Sequence, residues 1–115
     1  MRLNGEVYIG LGSNLGDSVE NLKSAISSIA QISDFLVSSS VYVSSAAGFT
    51  TQPKFFNAAC RIGTTLNPFE LLHALLGIEN QLGRSRTFVN SPRRIDLDIL
   101  LWGDLRIEAP HLKIP

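Results

Sequence analysis

The alternation of apolar and acidic residues from Ile95 to Ile99 is the sharpest pattern in the chain. Ile95, Leu97 and Ile99 fall at every second position, as on the buried face of a β-strand, while Asp96 and Asp98 lie between them on the other face. The two carboxylates are then about 6.6 Å apart along the strand. Like charges so placed repel each other unless a cation lies between them. The pattern therefore predicts either a Mg²⁺ site, since Mg²⁺ prefers one or two carboxylates with water and phosphate oxygens, or a solvated strand face.

Hydrophobic periodicity elsewhere predicts five further elements, bounded by glycine, proline and capping residues. They are, in chain order, a strand from Val7 to Leu11, a helix from Asp17 to about Ile32, an edge strand from Leu36 to Val43, a strand from Phe55 to Thr64 and a helix from Asn67 to Gly83. Trp102 to Asp104 is expected to form a turn, and Leu105 to Pro115 a short extended tail.

The order β-α-β-β-α-β predicts an α+β fold of the ferredoxin-like kind, with two helices on one face of an antiparallel four-stranded sheet. We expect one domain over residues 1–115. In this topology the acidic strand lies beside the first strand, and the first lies beside the third. The face without helices then collects Asp96, Asp98, Phe55 and Asn57, with Gly10 leaving room between them.

Alternation in the third predicted strand places Phe55 and Asn57 on that same face and Cys60 in the core. An exposed aromatic ring two positions from an amide can stack on a flat heterocycle while the amide binds its edge. The alternative is a partly covered sheet face without a ligand.

Composition narrows the classes of partner. The 115 residues carry ten basic and ten acidic side chains, which argues against nucleic acid or an anionic membrane as the main partner. The single cysteine and the absence of a membrane-length apolar run favour a reducing, cytoplasmic location. Four arginines and no acid lie between Arg84 and Arg94, so a local anion site is expected there.

Four motifs occur in order along the chain. They are G-S-N-L-G-D at Gly12 to Asp17, Q-P-K-F-F-N-A at Gln52 to Ala58, I-E-x-x-x-G-R-x-R at Ile78 to Arg86, and P-R-x-x-D-L-D-I at Pro92 to Ile99. Together they resemble the 6-hydroxymethyl-7,8-dihydropterin pyrophosphokinase family of folate biosynthesis. The resemblance implies transfer of the diphosphate of ATP to the hydroxymethyl group of 6-hydroxymethyl-7,8-dihydropterin, with release of AMP.

The resemblance also implies roles for individual residues. Asp96 and Asp98 would bind two Mg²⁺ ions with ATP, and Arg84 and Arg93 would neutralise charge during the transfer. The pterin would be bound at Ser44, Ser45, Ala47, Phe55 and Asn57, and ATP at Glu79, Arg86 and Ile99.

The sequence departs from the family pattern at three places. Leu76 replaces a glutamine of the family, Asn90 replaces a tryptophan, and the chain ends at Pro115, before the C-terminal segment that carries a nucleotide-binding histidine, an arginine and a second aromatic residue. We therefore expect a shortened member of the family. A non-catalytic nucleotide- or pterin-binding relative is the second interpretation. An RNA-binding ferredoxin-like module is the third, and the two acids on its binding face disfavour it.

Overall fold

A computed structural model describes residues 6–44, 54–83, 94–110 and 112–114. Two helices and seven strands are assigned within these ranges, and they confirm the predicted α+β class. The elements are β1 (Val7–Ser13), α1 (Ser18–Gln31), β2 (Phe35–Ser38), β3 (Tyr42–Ser44), β4 (Phe55–Gly63), α2 (Pro68–Gly83), β5 (Asp96–Trp102), β6 (Ile107–Ala109) and β7 (Leu112–Ile114).

The main sheet has the order β2-β4-β1-β5, with β3 also paired to β4, and each of its pairings is antiparallel. The acidic strand β5 therefore lies beside β1, and β1 lies beside β4. These are the neighbours that the ferredoxin-like topology predicts.

The edge strand that we expected from Leu36 to Val43 is instead two short strands. The interruption lies at Ser39, whose backbone N–H donates to the Ala59 carbonyl oxygen at 2.8 Å. The Ser39 hydroxyl oxygen also accepts the Ala59 N–H at 2.9 Å. A side chain thus takes the place of a backbone acceptor, and the regular ladder stops there.

Both helices begin at side-chain caps that the sequence predicts. The Asp17 carboxylate accepts the Glu20 N–H at 3.2 Å at the start of α1. At the start of α2, Asn67 and Glu70 form a reciprocal capping box, in which each side-chain oxygen accepts the other residue's backbone N–H, at 2.9 and 2.8 Å.

The hydrophobic core lies between the two helices and one face of the main sheet. Alternate residues of the three central strands contribute to it, because successive side chains of a strand point to opposite faces. Its buried members include Val7, Ile9, Leu11, Leu22, Ile29, Cys60, Ile62, Leu71, Leu75, Leu97, Ile99 and Trp102. The residues between these on the strands point to the opposite face.

A β-bulge at Leu100 shifts the alternation of β5. Tyr8 pairs with Leu101 and Ile9 pairs with Ile99, so Leu100 has no partner in the register. The extra residue lets both Ile99 and Trp102 point into the core, although they are three positions apart. Trp102, which we expected in a turn, is the buried last residue of β5, and the turn follows at Gly103, whose φ is +51°.

The region that we expected to be an extended tail contains a β6–β7 hairpin. Leu112 and Ile114 on β7 are buried in the core, and β7 packs against β5. Apolar residues at alternate positions account for this packing. Neither helix in the described ranges has the length and hydrophobicity that a membrane crossing requires.

Candidate active site

A cleft of about 240 Å³ lies on the face of the sheet that α1 and α2 do not cover. Strands β1, β3, β4 and β5 all contribute to it, so residues far apart in the sequence meet there. Its lining includes Gly10, Gly12, Tyr42, Phe55, Asn57, Asp96, Asp98 and Leu100.

Gly12 separates an amide from a carboxylate at the centre of the cleft. In the register, Gly12 is opposite Asn57 on one side and opposite Asp96 on the other. Two strand spacings, about 10 Å, separate the outer two residues. A Cβ at Gly12 would lie 3.5 Å from Asn57 Oδ1 and 3.9 Å from Phe55 Cδ1. The missing side chain therefore leaves an open floor between the two polar groups.

Gly10 and Leu100 form the adjoining part of the cleft. Gly10 is opposite Asp98, and a Cβ at Gly10 would lie 3.2 Å from Leu100 Cδ1. The Leu100 side chain thus leans over the glycine and forms an apolar wall beside the acid. Our sequence prediction missed this wall, although the position of Leu100 two residues after Asp98 on a strand was the available signal.

Asp96 and Asp98 lie on the cleft face, as the alternation predicts. Asp96 is half-buried and Asp98 is exposed, whereas Leu97 between them is buried in the core. Within the described residues, no group of three or more His, Cys, Asp and Glu side chains could hold a metal ion by itself. Two hard oxygen donors at an open cleft nevertheless fit Mg²⁺, which takes its remaining ligands from water and phosphate. The metal-binding role remains a prediction.

Asn57, Ser44 and Phe55 form the other end of the cleft. Asn57 Nδ2 donates a hydrogen bond to Ser44 Oγ at 2.9 Å, and Asn57 Oδ1 lies on the side of Gly12. Phe55 is half-buried beside them. Tyr42, opposite Asn57 on β3, is a lining residue that our sequence prediction missed. Its position two residues before Ser44 on a strand places it on the same face, which was the available signal.

Glu79 and Ile99 lie on the helix side of the sheet and outside the cleft lining. Glu79 Oε2 accepts a hydrogen bond from the Leu97 backbone N–H at 2.8 Å, which links α2 to β5. The Ile99 side chain is 8% exposed and belongs to the core. Contacts of both residues with ATP remain predictions, and a contact from Ile99 would come from its main chain.

Five predicted site residues lie outside the described ranges. They are Ser45, Ala47, Arg84, Arg86 and Arg93. Their roles also remain predictions.

Cys60 is a core residue, as the alternation of β4 predicts. It is 2% exposed, and burial raises the pKa of its thiol to about 11. The thiol is therefore protonated at neutral pH, which excludes a role as an activated nucleophile.

The topology and the cleft define a ferredoxin-like α+β protein with an amide and an aromatic ring at one end of a shared site and two carboxylates at the other. The family model for 7,8-dihydro-6-hydroxymethylpterin-pyrophosphokinase matches residues 8–115. The chain belongs to this family.

Curated relatives named for this pyrophosphokinase or for folate synthesis are consistent with membership of the family. The chain is 43% identical to the 2-amino-4-hydroxy-6-hydroxymethyldihydropteridine pyrophosphokinase of Bacillus subtilis, over 98% of this chain and 69% of that protein. The enzyme of the same name from Haemophilus influenzae is 44% identical, over 94% of this chain and 69% of that protein. The folic acid synthesis protein FOL1 of Dictyostelium discoideum is 38% identical, over 97% of this chain but only 17% of its own length.

Proposed function

We propose that this chain transfers the terminal diphosphate of ATP to the hydroxymethyl group of 6-hydroxymethyl-7,8-dihydropterin, releasing AMP, as a step of folate biosynthesis. The observation that carries the proposal is the row Asn57, Gly12 and Asp96 across three strands. Its two ends differ in chemistry, and the glycine between them leaves space for a substrate that spans both.

The end with Phe55 and Asn57 binds the pterin. A pterin is flat and carries N–H donors along one edge. The Phe55 ring offers an apolar face for stacking. Asn57 Oδ1 accepts hydrogen bonds from the pterin edge, because Nδ2 of the same amide is engaged by Ser44. Ser45 and Ala47 would add contacts from the segment that follows β3.

The end with Asp96 and Asp98 binds the triphosphate through Mg²⁺. The two carboxylates would hold two ions, which when bound neutralise phosphate charge and make the β-phosphorus more electrophilic. Arg84 and Arg93 would stabilise the negative charge that develops as AMP leaves, and Arg86, Glu79 and Ile99 would contact the nucleotide.

The reaction requires alignment more than covalent assistance from the protein. The pterin hydroxyl oxygen forms a bond to the β-phosphorus of ATP, and the bond from that phosphorus to the α,β-bridging oxygen breaks. The bridging oxygen leaves with AMP, and the hydroxyl proton is released to solvent. Phe55 and Asn57 orient the alcohol, and Asp96 and Asp98 would hold the ions that orient the phosphates. Fixing both reactants in this geometry supplies much of the rate enhancement in phosphoryl-type transfer.

The proposal is tested by an assay for AMP release with ATP, Mg²⁺ and the hydroxymethyldihydropterin. We expect release that depends on all three components. Gly12→Val should abolish it, because the new side chain occupies the floor of the cleft next to Asn57 Oδ1. Gly77→Val is the matched control, since a Cβ at Gly77 would meet nothing within 4 Å.

Binding of ATP and pterin without AMP release would replace the proposal with a non-catalytic binding function. Salt-dependent RNA binding in the absence of ATP binding would instead indicate an RNA-binding module.

A further inference from the structure

The side chain of Glu79 connects helix α2 to the main chain between the two cleft acids. Glu79 is half-buried, and its Oε2 accepts the Leu97 N–H at 2.8 Å. Leu97 lies between Asp96 and Asp98 in the sequence. The hydrogen bond therefore acts on the backbone that separates the two carboxylates.

The position of β5 in the sheet explains why this bond matters. β5 is at the end of the strand order and pairs with β1 on one side. In an antiparallel strand, successive residues direct their backbone groups alternately toward and away from the neighbouring strand. Because the Leu97 N–H is donated to Glu79, the backbone groups of Leu97 point away from β1. Those of Asp96 and Asp98 point toward it, opposite Gly12 and Gly10.

The backbone of Asp96, Leu97 and Asp98 is thus held from two sides, by strand β1 and by Glu79. Strand β1 holds the backbone of Asp96 and Asp98, and the Glu79 carboxylate holds the residue between them. An edge strand without such a support can bend or twist away from the sheet. Here any such bend would change the distance and angle between the two cleft carboxylates.

We propose that Glu79 is a positioning residue that sets the spacing of Asp96 and Asp98 for Mg²⁺ binding. The inference rests on the proposed function, and it gives Glu79 a second role beside its proposed contact with ATP. Glu79 lies on the helix side of the sheet, whereas Asp96 and Asp98 face the cleft. The Glu79 carboxylate would therefore affect Mg²⁺ binding through the Leu97 backbone.

The test compares Glu79→Ala with Glu79→Gln and measures the Mg²⁺ concentration that half-saturates binding of a non-hydrolysable ATP analogue. In Glu79→Ala we expect this concentration to rise about tenfold, as is usual when a partner behind a metal ligand is lost. In Glu79→Gln we expect a value within about twofold of the unaltered chain, because the amide oxygen can accept the same hydrogen bond. Hydrogen exchange at the Leu97 amide should accelerate in the alanine variant and not in the glutamine variant.

Glu70→Ala is the matched control. Glu70 is on the same helix, and its carboxylate also accepts a backbone N–H at 2.8 Å, from Asn67 at the start of α2. We expect this variant to lose stability while its Mg²⁺ requirement and Leu97 exchange stay unchanged.

The proposal is overturned if Glu79→Ala keeps the Mg²⁺ requirement of the unaltered chain. It is also overturned if Glu79→Gln is as impaired as Glu79→Ala, since that result assigns the effect to charge at the nucleotide. If the alanine variant does not fold, Glu79→Asp replaces it with the same expected change, because its shorter side chain cannot span the gap. Absence of Mg²⁺-dependent nucleotide binding in the unaltered chain would overturn the proposed function and this coupling together.

Discussion

The Asn57 side-chain amide donates a hydrogen bond to the Ser44 hydroxyl oxygen across the β3–β4 pair, at 2.9 Å. The bond fixes which atom of the amide is available on the cleft side, because Nδ2 is engaged and Oδ1 is left beside Gly12. A ligand edge that donates hydrogen bonds finds its acceptor already oriented. Because the Asn57 side chain is already ordered in the free protein, binding loses less conformational entropy.

Removal of the Ser44 hydroxyl should therefore weaken pterin binding. For Ser44→Ala we expect a loss of about threefold to tenfold in affinity, the usual effect of one net hydrogen bond. Titration calorimetry with the pterin measures it. Ser38→Ala, at an exposed position of β2, is the control and should leave the affinity unchanged. Equal affinities for the two variants would show that Ser44 does not orient the amide.

Phe55 and Phe35 offer a comparison of two partly exposed aromatic residues on the same sheet. Phe55 lines the cleft, whereas Phe35 packs on Gly63 and beneath the Arg61 guanidinium, 5.5 Å from the ring centroid. We expect Phe55→Ala to lower pterin affinity at least tenfold with a loss of stability below about 1.5 kcal/mol. Phe35→Ala should lower stability and leave pterin binding intact. Pterin titrations and thermal melts of both variants measure this, and the reverse pattern would make Phe55 a packing residue.

We expect the carboxylates of Asp96 and Asp98 to be needed for Mg²⁺ binding rather than for folding. Asp96→Asn and Asp98→Asn should each abolish Mg²⁺-dependent nucleotide binding, because an amide is a much weaker ligand for Mg²⁺ than a carboxylate. The fold should stay intact in both variants, because the two side chains line the cleft and lie outside the hydrophobic core.

Asp104→Asn is the control for this pair. Asp104 is exposed in the turn after β5, so the same change of charge occurs away from the cleft. Mg²⁺-dependent binding that survives in the Asp96 and Asp98 variants would contradict the metal assignment.

The buried thiol of Cys60 predicts a pH dependence of reactivity and of stability. Burial raises its pKa from 9.0 to about 11, so the folded protein keeps the thiol protonated while the unfolded chain ionises it above pH 9. The contribution of this group to stability is complete below pH 9 and is lost as the pH rises toward 11. At pH 8 we expect iodoacetamide to label Cys60 far more slowly in the native state than in denaturant, as measured by mass spectrometry. Rapid native labelling would contradict the burial, and Cys60→Ala provides the unlabelled reference.

The acidic strand was predictable because its pattern is local. Alternation from Ile95 to Ile99 assigns each side chain to one face, and β-α-β-β-α-β order then brings Asp96 to the face that holds Asn57. The capping residues Asn67 and Glu70 were predictable for the same reason, since a capping box spans only four residues.

Features that depend on pairing between distant segments were not predictable in this way. The Glu79 contact with Leu97 requires the packing of α2 against β5, and periodicity shows only that Glu79 lies beside the buried stripe. The break at Ser39 depends on a hydroxyl that replaces a backbone acceptor for Ala59. The sequence shows serines there, but it does not show which of them takes that bond.

The unpaired Leu100 has a consequence for any change in the length of β5. Deletion of this one residue would restore strict alternation, and Ile99 and Trp102, then two positions apart, would still both face the core. The acids of the cleft and the largest side chain of the core would keep their faces, but the apolar wall that Leu100 forms beside Gly10 would be lost. We therefore expect loss of the residue to open the cleft beside Asp98 and to leave the Trp102 indole packed in the core.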